Sequence, residues 1–337
     1  MVAVRRARFS RMPFCYSLSG LCLESELPFA TLGPTVSPPA ALQRVPLRRL
    51  DRQPAAPPQW LVVYATGGDP APGLSVGRSD AGYLLRYHGL ADFVVRSEQA
   101  EIAFWLEPEC TSAQFEHLVA DHVLAHYLHL RGQPSFHGSA VACAGGVAVG
   151  FLGRSRSGKS TLAASLGEPF GIVCDDCLVV SIEPSEVVAI PSYPFIRLGP
   201  DSAGALGRAA PDPARGPAAL ARDAVVASNP RQGGKLRVPM PLGRGRLVLR
   251  RLYLLEPSDA GPELTLLSRR DAVVELARNP YRIDPEDRGR LEREFELMVE
   301  VVRRVRVARL RYRHRYEDLP AVRALLVGDL AEAPARG

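Results

Sequence analysis

The residues from 153 to 161 carry the clearest chemical pattern in the chain. They read GRSRSGKST and fit the pattern G-x-x-x-x-G-K-[ST] through Gly153, Gly158, Lys159 and Ser160. Glycines let the backbone curl so that successive N–H groups point inward, and a following helix adds the positive end of its dipole. Such a loop binds nucleotide phosphates, with the Lys159 ammonium on the β- and γ-phosphates and the Ser160 hydroxyl on Mg²⁺.

Every residue of this loop is a candidate for contact with the phosphates of ATP or a similar nucleotide. The candidates are Gly153, Arg154, Ser155, Arg156, Ser157, Gly158, Lys159, Ser160 and Thr161. A Gly/Ser turn that matches the pattern by accident is the alternative. An apolar strand before the loop and a helix-forming run after it argue against that alternative.

Lysine is rare in this chain, which has 42 basic residues but only two lysines, Lys159 and Lys235. A strong arginine bias leaves lysine where a compact, flexible ammonium is needed in place of a planar guanidinium. Lys235 is therefore a candidate for contact with the substrate. Chance retention of a lysine on a solvated surface is the alternative.

Two adjacent acids, Asp175 and Asp176, follow the apolar run 171–174. A strand end is where an open parallel sheet places its active groups. One carboxylate can hold Mg²⁺, and a second can accept the proton of an attacking hydroxyl. The alternative is a solvated turn, where aspartate is common.

Cys174 and Cys177 flank the acids in a C-x-x-C spacing that formally matches a redox or metal site. No second cysteine pair or histidine cluster lies nearby in the sequence, so we interpret both thiols as structural. His137 stands before a predicted strand beside the loop. Structural and catalytic roles for this histidine remain equally open.

Apolar spacing predicts the elements that position these residues. A helix is expected over 112–130, strands over 139–143, 147–152 and 171–174, and a helix over 161–166. Further along, a strand is expected over 246–255 and a helix over 285–304. The buried face of the last helix is predicted from the spacing of Leu291, Phe295, Met298 and Val302.

The rest of the chain is read mainly from composition. Residues 1–111 alternate short apolar runs with proline and glycine breaks and predict a β-rich accessory module, in which 34–58 is a linker or surface excursion. Residues 199–234 are rich in Ala, Gly, Pro and Arg and predict a mobile loop. Alternating residues from Arg309 to Arg315, the arginine ladder, predict a solvated strand face, with a substrate-binding stripe as the alternative.

Length and composition exclude several classes of protein. The 337 residues are 46% hydrophobic and 23% charged, with six cysteines and a net charge of +6. These values are typical of a globular protein with reduced thiols. No run reaches the ~20 apolar residues of a membrane span, and no secretory signal is visible. We expect a cytoplasmic protein with no membrane partner and no nucleic-acid partner.

Four segments together resemble the HPr kinase/phosphorylase family and the HPr-kinase-like proteins of peptide-modification systems. They are His137-Gly138, the loop 153–161, Asp175-Asp176 and the run KLRVPMPLGRGR from Lys235 to Arg246. The resemblance implies a P-loop serine kinase that uses ATP and Mg²⁺. It further implies Asp175 as general base, Asp176 and Ser160 as magnesium ligands and His137 as a phosphate-side group, although the division between the two aspartates stays open.

Three features depart from that family. Arg156 stands where the family usually has glycine, and Phe195 stands where its Glu-Ile-Arg segment has an acid, ahead of Arg197. Nucleotide preference, one magnesium contact and phosphorylase activity are therefore left open. The N-terminal module and the 199–234 segment have no evident counterpart, which favours a different acceptor, such as a serine of a ribosomally made precursor peptide.

The combined prediction is an α/β protein with a P-loop HPr-kinase-like core, residues 112–330, behind the β-rich module. The expected function is an ATP-dependent serine kinase acting on a protein or precursor peptide, in which Arg197 and Lys235 stabilise charge or contact substrate. Oligomerisation is compatible with this prediction. The alternatives are a nucleotide-binding switch without phosphotransfer and a nucleic-acid partner that binds through the arginine ladder.

Overall fold

The computed structural model describes residues 13–36, 39–65, 72–167, 170–208, 226–227, 235–278 and 283–332. The first part of the chain forms one eight-stranded sheet with the order β1-β2-β3-β8-β7-β6-β5-β4. The pairs β2–β3 and β3–β8 are parallel and the others are antiparallel. Its strands are β1 (Phe14–Leu18), β2 (Leu21–Ser25), β3 (Gln43–Arg49), β4 (Gln59–Ala65), β5 (Pro72–Ser79), β6 (Gly82–Tyr87), β7 (Ala91–Arg96) and β8 (Glu101–Leu106).

Residues 34–58 were predicted to be a linker or surface excursion. That prediction is wrong for residues 43–49, which form strand β3. Val45 and Leu47 point to the same side of β3 and are fully buried, because they pack in the hydrophobic cluster on one face of this sheet. The alternation of these two apolar residues was concealed by the surrounding prolines and arginines.

The helical region 112–130 is covered by one side of the N-terminal sheet. It consists of α1 (Ser112–Leu118), a π turn (Val119–Val123) and α2 (Leu124–Leu130). It begins at a capping box in which Thr111 Oγ1 accepts from the Gln114 N–H while the Gln114 side chain accepts from the Thr111 N–H. Its apolar side chains share one hydrophobic cluster with the N-terminal strands. The predicted domain boundary at 111/112 therefore falls between a sheet and the helix that packs on it.

The remaining strands form a second, mixed sheet and a small third one. The second sheet has the order β10-β9-β12-β13-β17-β19-β18, with β11 beside β9 and an additional parallel pairing between β10 and β17. The strands are β9 (Ser135–Cys143), β10 (Val147–Leu152), β11 (Ile172–Cys174), β12 (Cys177–Ile182), β13 (Val187–Ile190), β14 (Phe195–Leu198), β15 (Val226–Ala227), β16 (Leu236–Pro239), β17 (Leu247–Pro257), β18 (Glu263–Leu266) and β19 (Arg306–Tyr312).

Helices cover both faces of the second sheet. One hydrophobic cluster joins it to α5 and α6, and another joins its opposite face to α3, α7 and the small sheet. A sheet buried on both faces explains the continuous apolar run VAVGFL in β10. The helices are α3 (Lys159–Leu166), α4 (Pro200–Ala205), α5 (Arg269–Leu276), α6 (Arg288–Arg304) and α7 (Leu319–Glu332).

The small sheet has the antiparallel order β14-β16-β15 and pairs Arg197 directly with Arg237. The prediction of a mobile loop over 199–234 is wrong for two parts of that span. Residues 200–205 form helix α4, and residues 226–227 form strand β15, which pairs with β16. Residues 209–225 and 228–234 lie outside the described residues, and the prediction of mobility for them stays a prediction.

Helix α6 differs from the prediction in its start and in its buried face. It begins at Arg288 because the Asp287 side chain accepts from the Arg290 N–H as an N-cap. Phe295 is 54% exposed, whereas Met298 and Val302 are buried. Only the C-terminal half of the helix contributes to the hydrophobic cluster, whereas Arg290 and Glu294 of the N-terminal half make polar contacts with His129 at the end of α2. The apolar spacing therefore extends further along the helix than the apolar contact does.

Candidate functional site

Residues 153–158 of the predicted loop 153–161 join the end of β10 to the start of α3, which begins at Lys159. This connection requires glycine at both ends. Gly153 and Gly158 have φ of 145° and 84°. A Cβ at Gly153 would lie 2.9 Å from Ser157 Oγ and 3.0 Å from Leu255 O. The loop therefore packs closely against the neighbouring strand β17, with its N–H groups near the positive end of α3.

Arg156 adopts the left-handed conformation that glycine would adopt freely, with φ of 64°. The position at which the family usually has glycine is thus one where the backbone needs positive φ. Arginine bears a conformational cost of about 1–3 kcal/mol there and carries an exposed cation at the rim of the loop.

Lys159 is buried inside the loop. Its Nζ donates to the carbonyl oxygens of Gly153 at 2.9 Å and Arg154 at 3.0 Å. Burial lowers the pKa of Lys159 to about 8, with Asp175 acting to raise it and Lys235 to lower it further. Ser157 Oγ is buried and has no hydrogen-bond partner among the described residues. A buried ammonium and an unsatisfied hydroxyl in a glycine cradle fit an anionic phosphate.

Asp175 is the most constrained carboxylate of the site. Its Oδ1 accepts from Ser139 Oγ at 2.7 Å and from Ser160 Oγ at 2.8 Å, while its Oδ2 accepts from the Arg197 N–H at 2.7 Å. The side chain is almost completely buried at the end of β11. Three hydrogen bonds from three different elements therefore fix this carboxylate beside the first turn of α3.

Asp176 points elsewhere because its backbone turns sharply. Its φ is 67°, and its carbonyl accepts from the Gly138 N–H at 3.1 Å. Its carboxylate forms an ion pair with the Arg197 guanidinium. The hydroxyl of Ser160 thus contacts Asp175, whereas Asp176 faces a cation, which differs from the grouping of Ser160 with Asp176 that the resemblance implied.

His137 lies within β9 rather than before it, because that strand starts at Ser135. Burial lowers the pKa of His137 to about 4, helped by Lys159 and opposed by Asp175. The imidazole is therefore neutral at physiological pH. A Cβ at Gly138 would lie 2.4 Å from a Leu152 methyl, so glycine lets β9 approach the strand that carries the loop.

Lys235 belongs to the same electrostatic environment although it is far away in the sequence. Burial lowers its pKa, Arg197 and Arg156 lower it further, and Asp175 raises it. The predicted residues 137, 153–161, 175–176, 197 and 235 are thus brought together at one end of the second sheet. Five cations and two carboxylates leave a surplus of positive charge suited to a polyphosphate.

Three further side chains of the site were missed by sequence reasoning. Ser139 donates to Asp175, and its two-residue spacing from His137 on one strand could have indicated a shared face. Tyr193 donates through its hydroxyl to the Asp175 carbonyl at 3.3 Å, and His117 lies 3.3 Å from Arg197 Nη1. No sequence signal connects these two residues with the loop.

The two cysteines beside the acids are buried. The Cys174 thiol donates to the Gly138 carbonyl at 3.8 Å, and burial raises the pKa of both thiols well above the usual range. A thiol that keeps its proton is neither a nucleophile nor a good metal ligand. The geometry agrees with the structural interpretation of the C-x-x-C spacing.

Phe195 occupies its position as a packing residue. It is buried, and the Arg237 guanidinium carbon lies 4.2 Å from its ring centroid. The position where the resembled family has an acid is therefore filled by an aromatic partner for a buried arginine.

The arginine ladder is neutralised along much of its length. Arg309 and Arg311 pair with Glu256 at 2.6 and 3.1 Å, and Arg313 pairs with Asp318 at 3.1 Å. Paired guanidinium groups are what the solvated-face interpretation expects.

Comparisons with known proteins give likenesses among solved structures. A search of solved structures matches the HPr(Ser) kinase/phosphatase from Coxiella burnetii, which is 13% identical, with 58% of this chain and 97% of that chain covered and a TM-score of 0.27. No protein-family model and no curated protein matches the sequence.

Across the described ranges, the helices are too short or too polar for any of them to span a bilayer.

Proposed function

We propose that the chain is an ATP-dependent kinase that transfers the γ-phosphoryl group to a serine hydroxyl of a protein or precursor peptide. The observation that carries this proposal is the 2.8 Å hydrogen bond from Ser160 Oγ to Asp175 Oδ1. It places the hydroxyl that follows the loop lysine against a strand-end carboxylate, the pair that holds Mg²⁺ in nucleotide-hydrolysing P-loop proteins. The second carboxylate and the surplus of cations support transfer rather than binding alone.

The roles follow from the contacts. The loop N–H groups and Lys159 bind the phosphates, and neutral His137 supplies a hydrogen bond at the phosphate side. Ser160 and Asp175 would hold Mg²⁺, which neutralises charge on the β- and γ-phosphate oxygens. Asp176 accepts the proton of the serine hydroxyl.

Arg197 and Lys235 oppose the negative charge that develops during transfer. This assignment exchanges the two aspartates relative to the roles that the family resemblance implied. The reason is that Ser160 contacts Asp175, whereas Asp176 pairs with Arg197.

Neutralising Asp175 and neutralising Asp176 should impair different steps, Mg²⁺-dependent ATP binding in one case and phosphoryl transfer in the other. Asp176→Asn is expected to keep ATP binding and to lower phosphorylation of a serine peptide by about 10²-fold or more, the usual contribution of a positioned base. Asp175→Asn is expected to weaken the dependence of ATP binding on Mg²⁺, because it removes a ligand of the metal. Titrations of ATP and Mg²⁺, and mass shifts across a panel of serine peptides, measure both effects.

Asp201→Asn, at an exposed position of α4, is the matched control and should change neither quantity. If the two site variants behave alike and the unmodified protein binds or hydrolyses ATP without modifying any serine, the kinase proposal is wrong. The second candidate, a nucleotide-binding switch without phosphotransfer, then replaces it. The strained Arg156 and the aromatic Phe195 are the observations that favour this second candidate.

A further inference from the structure

A buried series of polar contacts connects the helical region 112–130 with the site. The His117 Nδ1 pairs with the Asp121 carboxylate, one helical turn further on. The His117 Nε2 lies 3.3 Å from Arg197 Nη1, and the Arg197 guanidinium pairs with Asp176. His117 and Asp121 are both buried, although the proposed chemistry gives neither of them a role.

The donors and acceptors of this series fix the tautomer of His117. A guanidinium can only donate, so the His117 Nε2 must accept from Arg197 and its proton must reside on Nδ1. Nδ1–H then donates to Asp121. Burial acts to raise the pKa of Asp121, but His117, Arg197 and Arg237 outweigh it and lower the pKa to about 2. Asp121 is therefore a permanent anion that keeps the imidazole turned toward Arg197.

The local helix geometry at Asp121 is unusual. The residue lies in the π turn Val119–Val123, where the Leu124 N–H donates to the Val119 carbonyl five residues back. π turns are rare within helices and frequently occur at functional sites. Apolar residues before, within and after this turn, among them Phe115, Val119 and Leu124, pack in the N-terminal cluster, while Asp121 of the same turn pairs with His117.

Glu116, the neighbour of His117 in α1, binds Arg237, which lies beside Arg197 in the small sheet. Arg237, the cross-strand partner of Arg197, donates through Nη1 to Glu116 Oε1 at 2.6 Å. Glu116 in turn accepts from the Thr31 N–H of the N-terminal module at 2.6 Å. Two neighbouring helix residues thus hold two paired arginines, and only one of these arginines reaches the site.

We propose that His117 and Asp121 are positioning residues for phosphoryl transfer, which hold the Arg197 guanidinium against Asp176 and toward the phosphates from the helical region 112–130. The inference rests on the proposed function. It assigns to the helical region that packs on the N-terminal module a direct share in the geometry of the transfer step.

A double-mutant cycle tests whether the pair acts through Arg197. Asp121→Asn should lower kcat for serine phosphorylation about tenfold and leave the KM for ATP within about twofold, whereas Arg197→Gln should lower kcat about 10²-fold. Combining the two should be no worse than Arg197→Gln alone, because Asp121 then has nothing to position. His126→Gln, a buried histidine of the same helical region whose Nδ1 lies 2.7 Å from the His122 carbonyl, is the matched control and should leave kcat unchanged.

A spectroscopic measurement gives a second readout that does not depend on activity. Long-range ¹H–¹⁵N spectra of the histidine side chains, with His117→Gln used for assignment, should show the Nδ1–H tautomer for His117. Asp121→Asn should keep this tautomer, because Arg197 still donates to Nε2 and the asparagine oxygen can still accept from Nδ1–H. Arg197→Gln, whose amide oxygen can accept from Nε2–H, should allow the Nε2–H form. If Asp121→Asn does not fold, His117→Gln replaces it in the cycle. The glutamine amide oxygen can still accept from Arg197, so His117→Gln should retain more activity than His117→Leu.

Additive losses in the cycle, or an Nε2–H tautomer in the unmodified protein, would overturn the inference while leaving the kinase intact. Unmodified protein that transfers no phosphoryl group to any serine would overturn the proposed function, and this inference with it. A non-additive cycle together with the Nδ1–H tautomer is the result expected.

Discussion

Lys159 holds its proton less tightly than an exposed lysine, because its ammonium is buried in the loop. The protonated form is the one that binds phosphate. As the pH rises through about 8 the ligand-free site loses this charge, so the Kd for nucleotide should increase by up to about tenfold per pH unit. Titration of a fluorescent ATP analogue between about pH 6.5 and 9.5 measures the slope.

Two variants complete that experiment. Lys159→Ala should abolish nucleotide binding with an unchanged circular dichroism spectrum. Lys159→Arg should bind more weakly but without the slope, since a guanidinium stays charged throughout this range. A slope that persists in Lys159→Arg would assign the titration to another group, with Lys235 the first to test.

The residue scale is also where sequence reasoning reached its limit. The loop pattern and the acid pair could be found from spacing alone, because phosphate binding demands glycines and a lysine in a fixed order. The separate orientations of Asp175 and Asp176 could not, since they depend on the positive φ at Asp176. His117 was equally invisible, because its contact with Arg197 spans 80 residues of sequence.

At the scale of elements, the loop is held between α3 and strand β19. A Cβ at Gly158 would lie 2.9 Å from the Tyr312 hydroxyl, in addition to the strain of a φ of 84°. Gly158→Ala should therefore lower nucleotide affinity about tenfold or more and destabilise the protein by roughly 1–3 kcal/mol. Calorimetric binding and thermal unfolding measure the two effects.

Gly245→Ala is the matched control for backbone strain alone, because Gly245 has a φ of 78° and no atom within 4 Å of its added Cβ. It should destabilise the fold slightly and leave nucleotide affinity unchanged. Tyr312→Phe in the Gly158→Ala background should restore part of the affinity. If Gly158→Ala and Gly245→Ala lowered nucleotide affinity and stability equally, the contact with Tyr312 would be unimportant.

The elements themselves were predictable where local pattern and burial agree. Strand 147–152 was predicted with its observed ends because it is buried on both faces and bounded by glycines. Strand β3 and helix α4 were missed because proline-rich and glycine-rich composition obscured short ordered segments. Phe295 was misplaced because periodicity shows which face of a helix is apolar but not how far along the helix the core extends.

At the scale of the whole molecule, one hydrophobic cluster joins the N-terminal sheet, the helical region 112–130 and residues beside the site such as Tyr193 and Phe195. A chain that begins at residue 112 would expose the apolar face of that helical region. It should therefore aggregate or unfold without cooperativity, whereas a chain of residues 13–332 should unfold cooperatively. Thermal unfolding and binding of a hydrophobic dye compare the two. Cooperative unfolding of the shorter chain would show that the site-bearing part is independent of the module.

Because the only two lysines in the chain lie within one electrostatic environment, the site has a distinctive reactivity toward electrophiles. The neutral amine is the nucleophile in acylation, and a lowered pKa increases its fraction near neutral pH. A mild acylating reagent has no other side-chain amine to modify, so the amount of acylated Lys159 and Lys235 measures how accessible the site is. Bound nucleotide should shield Lys159 from the reagent, so the extent of Lys159 acylation reports how much of the site is occupied.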